Sequence, residues 1–139
     1  MKTLRLRIIT PTQIVRDEEI VSATIDTAAG EITVLPRHTN LFSLLKEGVI
    51  TIRKEKSQED HLAIGGGYLE TDGEHLNILV SRAYGQNEVD QQLTQKALDQ
   101  AKKILTTSKD DQERHEANLL LRRSIIDLKL LKKRRQRVQ

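Results

Sequence analysis

The chain contains no cysteine and no tryptophan, and its only aromatic residues are Phe42, Tyr68 and Tyr84. Without cysteine it has neither disulfides nor thiolate metal ligands. No apolar run approaches the roughly 18 residues of a membrane-spanning helix, and the first residues lack the apolar block of a signal peptide. We therefore expect a soluble cytoplasmic protein whose aliphatic core of Ile, Val and Leu surrounds the three aromatic residues.

Patterns that indicate catalysis are also missing. The six serines have no nucleophile-elbow context, and the four histidines do not have the spacing of metal ligands. The glycines at 65–67 lack the Lys-Ser/Thr of a phosphate-binding loop, so they predict a tight bend between strands. The sequence predicts neither an enzyme nor a metal site.

The net charge of +3 is unevenly distributed. Residues 112–139 hold nine Lys/Arg against three Asp/Glu, a net +6, whereas residues 1–111 hold fourteen against seventeen, a net −3. The basic character therefore belongs to the C-terminal end and does not describe the whole molecule.

Residues 1–86 follow a period of two, which is typical of strands with one buried face. Gly-containing turns separate the short runs, and this alternation predicts a β-sandwich or flattened barrel. The apolar positions that alternate are Leu4, Leu6, Ile8, Ile32, Val34, Ile50, Ile52, Leu76, Ile78 and Val80.

From Asn87 onward the apolar residues recur at helical spacing. Asn87 is the predicted N-cap of a first helix, and residues 108–111 predict a break followed by a second cap. The fold class is therefore α+β, with a β-sandwich at 1–86, an antiparallel two-helix hairpin at 88–136 and a tail at 137–139. The narrow apolar stripes indicate a hairpin that is only marginally stable by itself.

Three segments, taken in order, carry a resemblance to a known family. They are Gly30-Glu31 with Pro36-x-His38, the run Glu47–Ile52, and the glycine cluster Ala63–Glu70. Together with the order of β-domain and helical hairpin, they resemble the epsilon subunit of the bacterial rotary ATP synthase over essentially the whole chain.

The resemblance implies a non-catalytic subunit of the central stalk that couples ion flow to ATP synthesis. Its sandwich would bind the gamma subunit and the c-ring, at the cytoplasmic face of the cell membrane and peripheral to it. Its hairpin would lie folded, or extend towards the alpha and beta subunits and impede ATP hydrolysis.

The resemblance also implies which residues contact partners. Glu31 matches the family's acidic residue near the c-ring loops, His38 matches its corner histidine, and Ser108 lies in the polar region between the helices. A cationic C-terminal end would be attracted to the acidic segment of the beta subunits. Its residues are Arg122, Lys132, Lys133, Arg134 and Arg135.

The chain departs from the family at one motif. Many relatives bind ATP through Ile/Leu-Asp-x-x-Arg-Ala at the start of the first helix, whereas here Val89-Asp90-Gln91-Gln92-Leu93-Thr94 stands in its place. Asp90 remains, and Arg122 and Arg123 are the candidates to face it. Because Leu93 replaces the arginine, a strong phosphate or base contact is lost. We expect weak or absent ATP binding and no cofactor.

An alternative function belongs to another class. A free β-sandwich adaptor would use its basic helical tail to bind an acidic protein or a nucleic acid. Nucleic acid is the less favoured of the two, because no aromatic residue adjoins the basic cluster. Residues 132–137 also fit a solvated helix end, and Asp90 also fits a helix-start residue.

Overall fold

The computed structural model describes residues 2–27 and 29–138, with side chains as far as Lys133. The chain divides between Gly85 and Gln86 into two compact units. The first unit is made of strands and the second of helices, which confirms the predicted β-then-α class.

The first unit holds ten strands within the described residues. They are β1 (Leu4–Ile9), β2 (Ile14–Ile20), β3 (Ser22–Thr27), β4 (Gly30–Val34), β5 (Leu41–Leu45), β6 (Gly48–Arg53), β7 (Glu59–Ile64), β8 (Gly67–Thr71), β9 (His75–Val80) and β10 (Ala83–Gly85). They pair in the order β10-β7-β6-β3-β5-β8-β9-β1-β2, with β4 added on β3. The pairing of β1 with β9 is parallel, and the other described pairings are antiparallel.

The core of the sandwich is aliphatic, as the alternation predicts. Leu4, Leu6 and Ile8 are fully buried on one face of β1, and the partner strand β9 buries Leu76 and Ile78 in the same way. Burying side chains of this size is worth about 1.5–3 kcal/mol each relative to leaving them exposed.

The expected core role of the aromatics is wrong for Phe42, which is 61% exposed. In β5 the apolar residues fall on both faces of the strand, since Leu41 packs against the core and Phe42 and Leu44 point away from it. Alternation therefore cannot decide which face of this strand is buried.

Four charged side chains join β2, at one end of the strand order, to β7, next to the other end. Arg16 Nη1 of β2 lies 3.0 Å from Glu18 Oε2 and 3.0 Å from Asp60 Oδ2 of β7. Lys54 Nζ lies 2.8 Å from each of the same two carboxylates. Two cations and two anions thus form a closed ring, and β2 is fastened to β7 although the two strands are not hydrogen-bonded neighbours.

The charge ring shifts the pKa values of Lys54 and Asp60. Hydrogen bonds to Asp60 and Glu18 raise the pKa of Lys54 above its usual value, against the effect of burial. Burial opposes ionisation of Asp60, but the bonds from Lys54 and Arg16 outweigh it and hold the Asp60 pKa below its usual value. Both shifts favour the charged forms of Lys54 and Asp60.

The turn between β6 and β7 contains two residues in the left-handed region. Lys56 has φ 64° and Ser57 has φ 59°, within the short 3₁₀ segment Glu55–Ser57. Side chains with a Cβ rarely adopt this conformation, which costs roughly 1–2 kcal/mol per residue. This turn is a site of stored backbone strain.

The second unit begins with a 3₁₀ turn, Gln86–Glu88, and continues as α1 (Gln91–Thr107) and α2 (Asp111–Val138). The predicted N-cap at Asn87 is wrong, since Asn87 lies in the 3₁₀ turn and Asp90 caps α1 instead. The helix α2 runs to Val138, past the predicted end at 136, because nothing in this basic segment breaks a helix. The predicted break and second cap at residues 108–111 are confirmed.

Small side chains dominate the buried positions of the two helices. Thr94, Leu98 and Ala101 are buried on one stripe of α1, and Ala117 and Ser124 are buried seven residues apart on α2. The helices pack against each other as an antiparallel pair. Leu130 of α2 is also buried, and because only it and Leu98 are large among the described buried side chains, the buried apolar area of the pair is modest compared with that of the sandwich.

Candidate interaction surfaces

Glu31 lies at one end of the sandwich, next to hydrogen bonds among Thr27, Ala29 and Gly30. The Thr27 hydroxyl donates a hydrogen bond to the Gly30 carbonyl (2.7 Å) and accepts one from the Ala29 N–H (3.1 Å). Gly30 has φ 120°, a conformation that L side chains rarely adopt, so the turn requires glycine here. Glu31 follows directly as an exposed residue on β4, paired across the ladder with Asp26.

The same end of the sandwich brings several loops together. In register, Thr27 pairs with Leu45, Leu45 with Gly67, and Gly67 with Val80. The turns next to these positions therefore share one end of the sheet with Glu31. We call this surface the Glu31 end.

A second acidic residue of the Glu31 end is paired with an arginine. Arg82 Nη2 lies 3.0 Å from Glu47 Oε2, and both side chains are about 30% exposed. The predicted bend at residues 65–67 is confirmed, and at Gly67 a Cβ would lie 1.9 Å from the Leu79 carbonyl oxygen. The close approach of the two backbone segments, rather than phosphate binding, explains why a glycine stands here.

His38 lies at the opposite end of β4 from Glu31. The Arg37 N–H donates to the Gly73 carbonyl (2.8 Å), which places the corner at 36–38 against the turn between β8 and β9. His38 Nδ1 lies 2.8 Å from the carbonyl oxygen of Thr39. The structure therefore does not bring the two predicted contact residues of the sandwich together.

The turn beneath this corner contains a carboxylate with an altered pKa. Asp72 Oδ1 accepts hydrogen bonds from the backbone N–H groups of His75 (2.8 Å) and Glu74 (2.9 Å). Its other oxygen lies 3.2 Å from His75 Nδ1. These bonds, with the backbone of His75 contributing most, lower the pKa of Asp72 to about 2.

An exposed apolar patch lies on the outer face of β5 and β8, and sequence reasoning missed it. Phe42 and Leu44 are each 61% exposed, two residues apart on one face of β5. The rings of Phe42 and Tyr68 are stacked at a tilt, with centroids 5.2 Å apart and 31° between their planes. We call Phe42, Leu44 and Tyr68 the aromatic patch. Exposed apolar clusters of this kind mark interaction sites.

Asp90 acts as a helix cap in the structure. Its side chain accepts a hydrogen bond from the Leu93 N–H (2.9 Å), and its backbone is extended, as an N-cap requires. Leu93, which stands where the nucleotide-binding motif has arginine, is 65% exposed. The carboxylate is thus engaged by the first turn of α1.

The predicted cationic residues lie along α2. Arg122, Arg123 and Lys132 are exposed, and Lys133 is half-buried. The side chains of Arg134 and Arg135 lie outside the described residues. The exposed cations are carried on a helix of 28 residues, about 42 Å long at ~1.5 Å per residue.

Ser108 is the C-cap of α1 and is engaged by its neighbours. Its N–H donates to the Ile104 carbonyl (2.8 Å), and its hydroxyl donates to Glu113 Oε2 (3.0 Å). The same hydroxyl accepts a bond from the Asp110 N–H (3.2 Å). The predicted contact residue therefore has a structural role in the turn between the helices.

The described residues form neither a candidate metal site nor a membrane-spanning helix. Within residues 2–27 and 29–138, no group of three or more His, Cys, Asp or Glu residues could hold a metal ion. None of the helices that the structure describes combines the length and the apolarity needed to span a bilayer.

Comparisons with known proteins agree with one another. The family model for the beta-sandwich domain of the ATP synthase delta/epsilon chain matches residues 3–86. The epsilon chain of Sulfurovum sp. (strain NBC37-1) is 36% identical over 105 residues, which cover 76% of this chain and 81% of that protein. The epsilon chain of Moorella thermoacetica is 32% identical over 129 residues, which cover 93% of this chain and 96% of that protein.

Solved structures share the fold. A chain in the Euglena gracilis mitochondrial ATP synthase, in a structure of OSCP, F1 and c-ring, aligns with a TM-score of 0.72 at 21% identity, covering 99% of this chain and 82% of that one. A chain from the central stalk and c-ring of the Tetrahymena thermophila enzyme aligns with a TM-score of 0.57 at 15% identity, covering 95% of this chain and 96% of that one.

Proposed function

This chain belongs to the delta/epsilon family of ATP synthase chains, and from that premise we propose that it links the central stalk to the c-ring and restrains ATP hydrolysis. Epsilon chains are non-catalytic subunits, so the chemistry takes place on other chains of the complex. The sandwich binds the gamma subunit and the c-ring, and the hairpin acts as a conformational inhibitor. The protein is peripheral, at the cytoplasmic face of the membrane.

The aromatic patch is the observation that carries the proposal for gamma. Stacked aromatic and aliphatic side chains that remain exposed are characteristic anchors of protein interfaces. The patch lies on a sheet surface held from behind by the buried core residue Leu69 on β8. A rigid sheet presents such a surface with little loss of conformational entropy on binding.

The Glu31 end supports contact with the c-ring. Glu31 is exposed, and Lys46 is exposed on a neighbouring loop of the same end. Polar side chains of both signs on short, hydrogen-bonded loops suit a polar partner surface. The c-ring presents polar loops in the family that the chain resembles.

The cations of α2 support contact between the hairpin and an acidic surface on the catalytic subunits alpha and beta. Each exposed pair contributes only about 0–1 kcal/mol. Several acting together can still shift a two-state equilibrium substantially. Lys132 and Lys133 also lie in the C-terminal part of a long helix, where cations complement the helix dipole.

We further propose that the hairpin binds ATP weakly or not at all. Asp90 caps α1, and exposed Leu93 offers no hydrogen-bond donor to a phosphate or a base. Isothermal titration calorimetry of the purified protein with ATP tests this. A dissociation constant in the micromolar range would contradict it.

The proposal for gamma is tested by co-purification from native membranes. Phe42→Glu places a charge in the aromatic patch, and we expect it to abolish association with gamma. Ile14→Glu is the matched control, because it also replaces an exposed apolar residue by glutamate. Ile14 is 52% exposed and lies on β2, outside the patch. Equal recovery of gamma with both variants would overturn the proposed surface.

Deletion of residues 88–139 tests the inhibitory role. The deletion leaves the first compact unit complete, since that unit ends at Gly85. We expect the truncated protein still to assemble with gamma and ATP hydrolysis to be equal or faster. Loss of all partner binding with the tail would instead support the adaptor alternative, in which the basic helix is the principal binding element.

A further inference from the structure

The C-terminal end of α1 lacks a cation of its own. The last turn of this helix holds no basic residue, although the final carbonyl groups of a helix carry partial negative charge. The Ile104 carbonyl is satisfied by the Ser108 N–H. The Leu105 carbonyl is satisfied by a side chain from the other helix.

Arg114, in the first turns of α2, supplies that side chain. Its Nη1 donates to the Leu105 carbonyl at 2.5 Å and to the Ser108 carbonyl at 3.2 Å. Both bonds are partly buried, and both have a charged donor, so they belong to the stronger class of hydrogen bonds. They join α2 directly to the end of α1.

The rest of the turn holds Arg114 in place. Asp110 caps α2, since its carboxylate accepts from the Glu113 N–H (3.2 Å) and its carbonyl accepts from the Arg114 N–H (2.9 Å). The connection between the helices is therefore short and is held by several hydrogen bonds. Away from the turn, four of the six buried side chains described in the helices are small, and only Leu98 and Leu130 are large, so the apolar burial is limited.

We propose that Arg114 is a positioning residue that clasps the two helices and sets the equilibrium between a closed and an opened hairpin. The consequence for hydrolysis rests on the proposed inhibitory function. In this chain the state of the hairpin is then set by a contact within the turn and does not depend on a bound nucleotide. Loss of the clasp favours the opened, inhibitory form.

The test measures how often the hairpin opens in the full-length protein. Because the chain has no cysteine, Ser124→Cys places a single thiol at a position of α2 that is only 3% exposed in the closed hairpin. The rate at which a thiol reagent labels it reports the opened fraction, even when that fraction is very small.

Three variants are compared in this background. Arg114→Met keeps the length and helix propensity but removes the donors, and Lys102→Met is the matched control, an exposed cation near the end of α1. We expect labelling about tenfold faster in Arg114→Met than in the control, which is the usual effect of losing hydrogen bonds to a charged group. Arg114→Lys keeps the charge without the planar fork and should fall between the two.

Equal labelling rates in Arg114→Met and Lys102→Met would overturn the clasp. So would a loss of helical circular dichroism in Arg114→Met but not in the control, because Arg114 would then serve helix formation and not helix closure. In the reassembled complex, Arg114→Met should hydrolyse ATP more slowly than the control. If labelling is faster while hydrolysis is unchanged, the clasp stands and the proposed inhibitory function fails.

Discussion

The sandwich and the hairpin are stabilised in different ways. The sandwich buries large aliphatic residues completely and arranges its half-buried charges in a closed ring that joins β2 to β7. The hairpin buries mainly small residues, and its specific bonds are concentrated at the caps and the turn. The first unit therefore suits a fixed shape, whereas a few local contacts decide the state of the second.

A cavity in each unit should have the largest effect and would show whether the two units differ in stability. Ile78→Ala removes a fully buried side chain, and we expect the free energy of unfolding of the sandwich to fall by about 2–5 kcal/mol. Leu98→Ala in the hairpin should leave the unfolding of the sandwich within about 0.5 kcal/mol of wild type. Urea unfolding followed by tyrosine fluorescence measures this, since both tyrosines lie in the first unit. An equal shift for both variants would show that the units unfold as one.

The charge ring provides the next test. Asp60→Asn leaves Arg16 and Lys54 facing each other with one anion fewer, and we expect a loss of about 1–2 kcal/mol in the stability of the sandwich. Glu19 is an exposed partner of Arg5 and lies on β2, as Arg16 does. The control Glu19→Gln should therefore lower the stability by less than about 0.5 kcal/mol. If both variants lose the same amount in urea, the ring is no stronger than a surface pair.

The acid stability of the ring has a defined sign. The pKa of Asp60 is lowered in the folded state, so its contribution is present above the unfolded value of about 3.9 and is lost as the pH falls through the folded value. The wild-type protein should therefore lose its stability advantage over Asp60→Asn only below about pH 4. Urea midpoints measured between pH 7 and pH 2 follow this change. An advantage that disappears above pH 5 would contradict it.

Relief of backbone strain should make the sandwich more stable. Lys56→Asn with Ser57→Gly places residues that tolerate a left-handed conformation in the turn between β6 and β7. We expect a gain of about 1 kcal/mol, since the strained side chains are removed without loss of buried contacts. Thermal unfolding measures the gain. A lower midpoint would indicate that Lys56 or Ser57 makes a needed contact.

The smallest expected effect concerns Asp72 in the turn between β8 and β9. Its pKa of about 2 means that the carboxylate keeps its backbone hydrogen bonds to well below pH 3. Whatever this turn contributes to folding is complete above about pH 4 and is lost as the pH falls through about 2. Titration of side-chain carboxyl resonances by NMR gives the value directly. A pKa near the ordinary 3.9 would contradict the hydrogen bonding described here.

The sequence predicts strands best where alternation is strict. Leu4, Leu6 and Ile8 have to share one face, so β1 was evident, whereas β2 carries mostly charged residues and is fixed by its pairing with β1. The exposure of Phe42 was not predictable, because β5 offers apolar residues on both faces. Which face is covered depends on neighbouring strands that local pattern does not reveal.

The candidate sites were predicted less completely than the fold. Glu31 and His38 are near in sequence, but β4 separates them, because an extended chain rises about 3.3 Å per residue. No sequence pattern indicated a role for Arg114, since its contact with Leu105 depends on how the turn brings the helix ends together. The aromatic patch likewise exists only through the pairing of β5 with β8.

The parallel pairing of β1 with β9 has a consequence for how this chain is made. During synthesis the first strand leaves the ribosome about 70 residues before the strand that must lie beside it. Until then its open edge is available to other nascent chains, and folding that depends on so distant a partner is slow. A polypeptide truncated before β9 would therefore aggregate. A polypeptide that ends just after β10 would still form a complete sandwich.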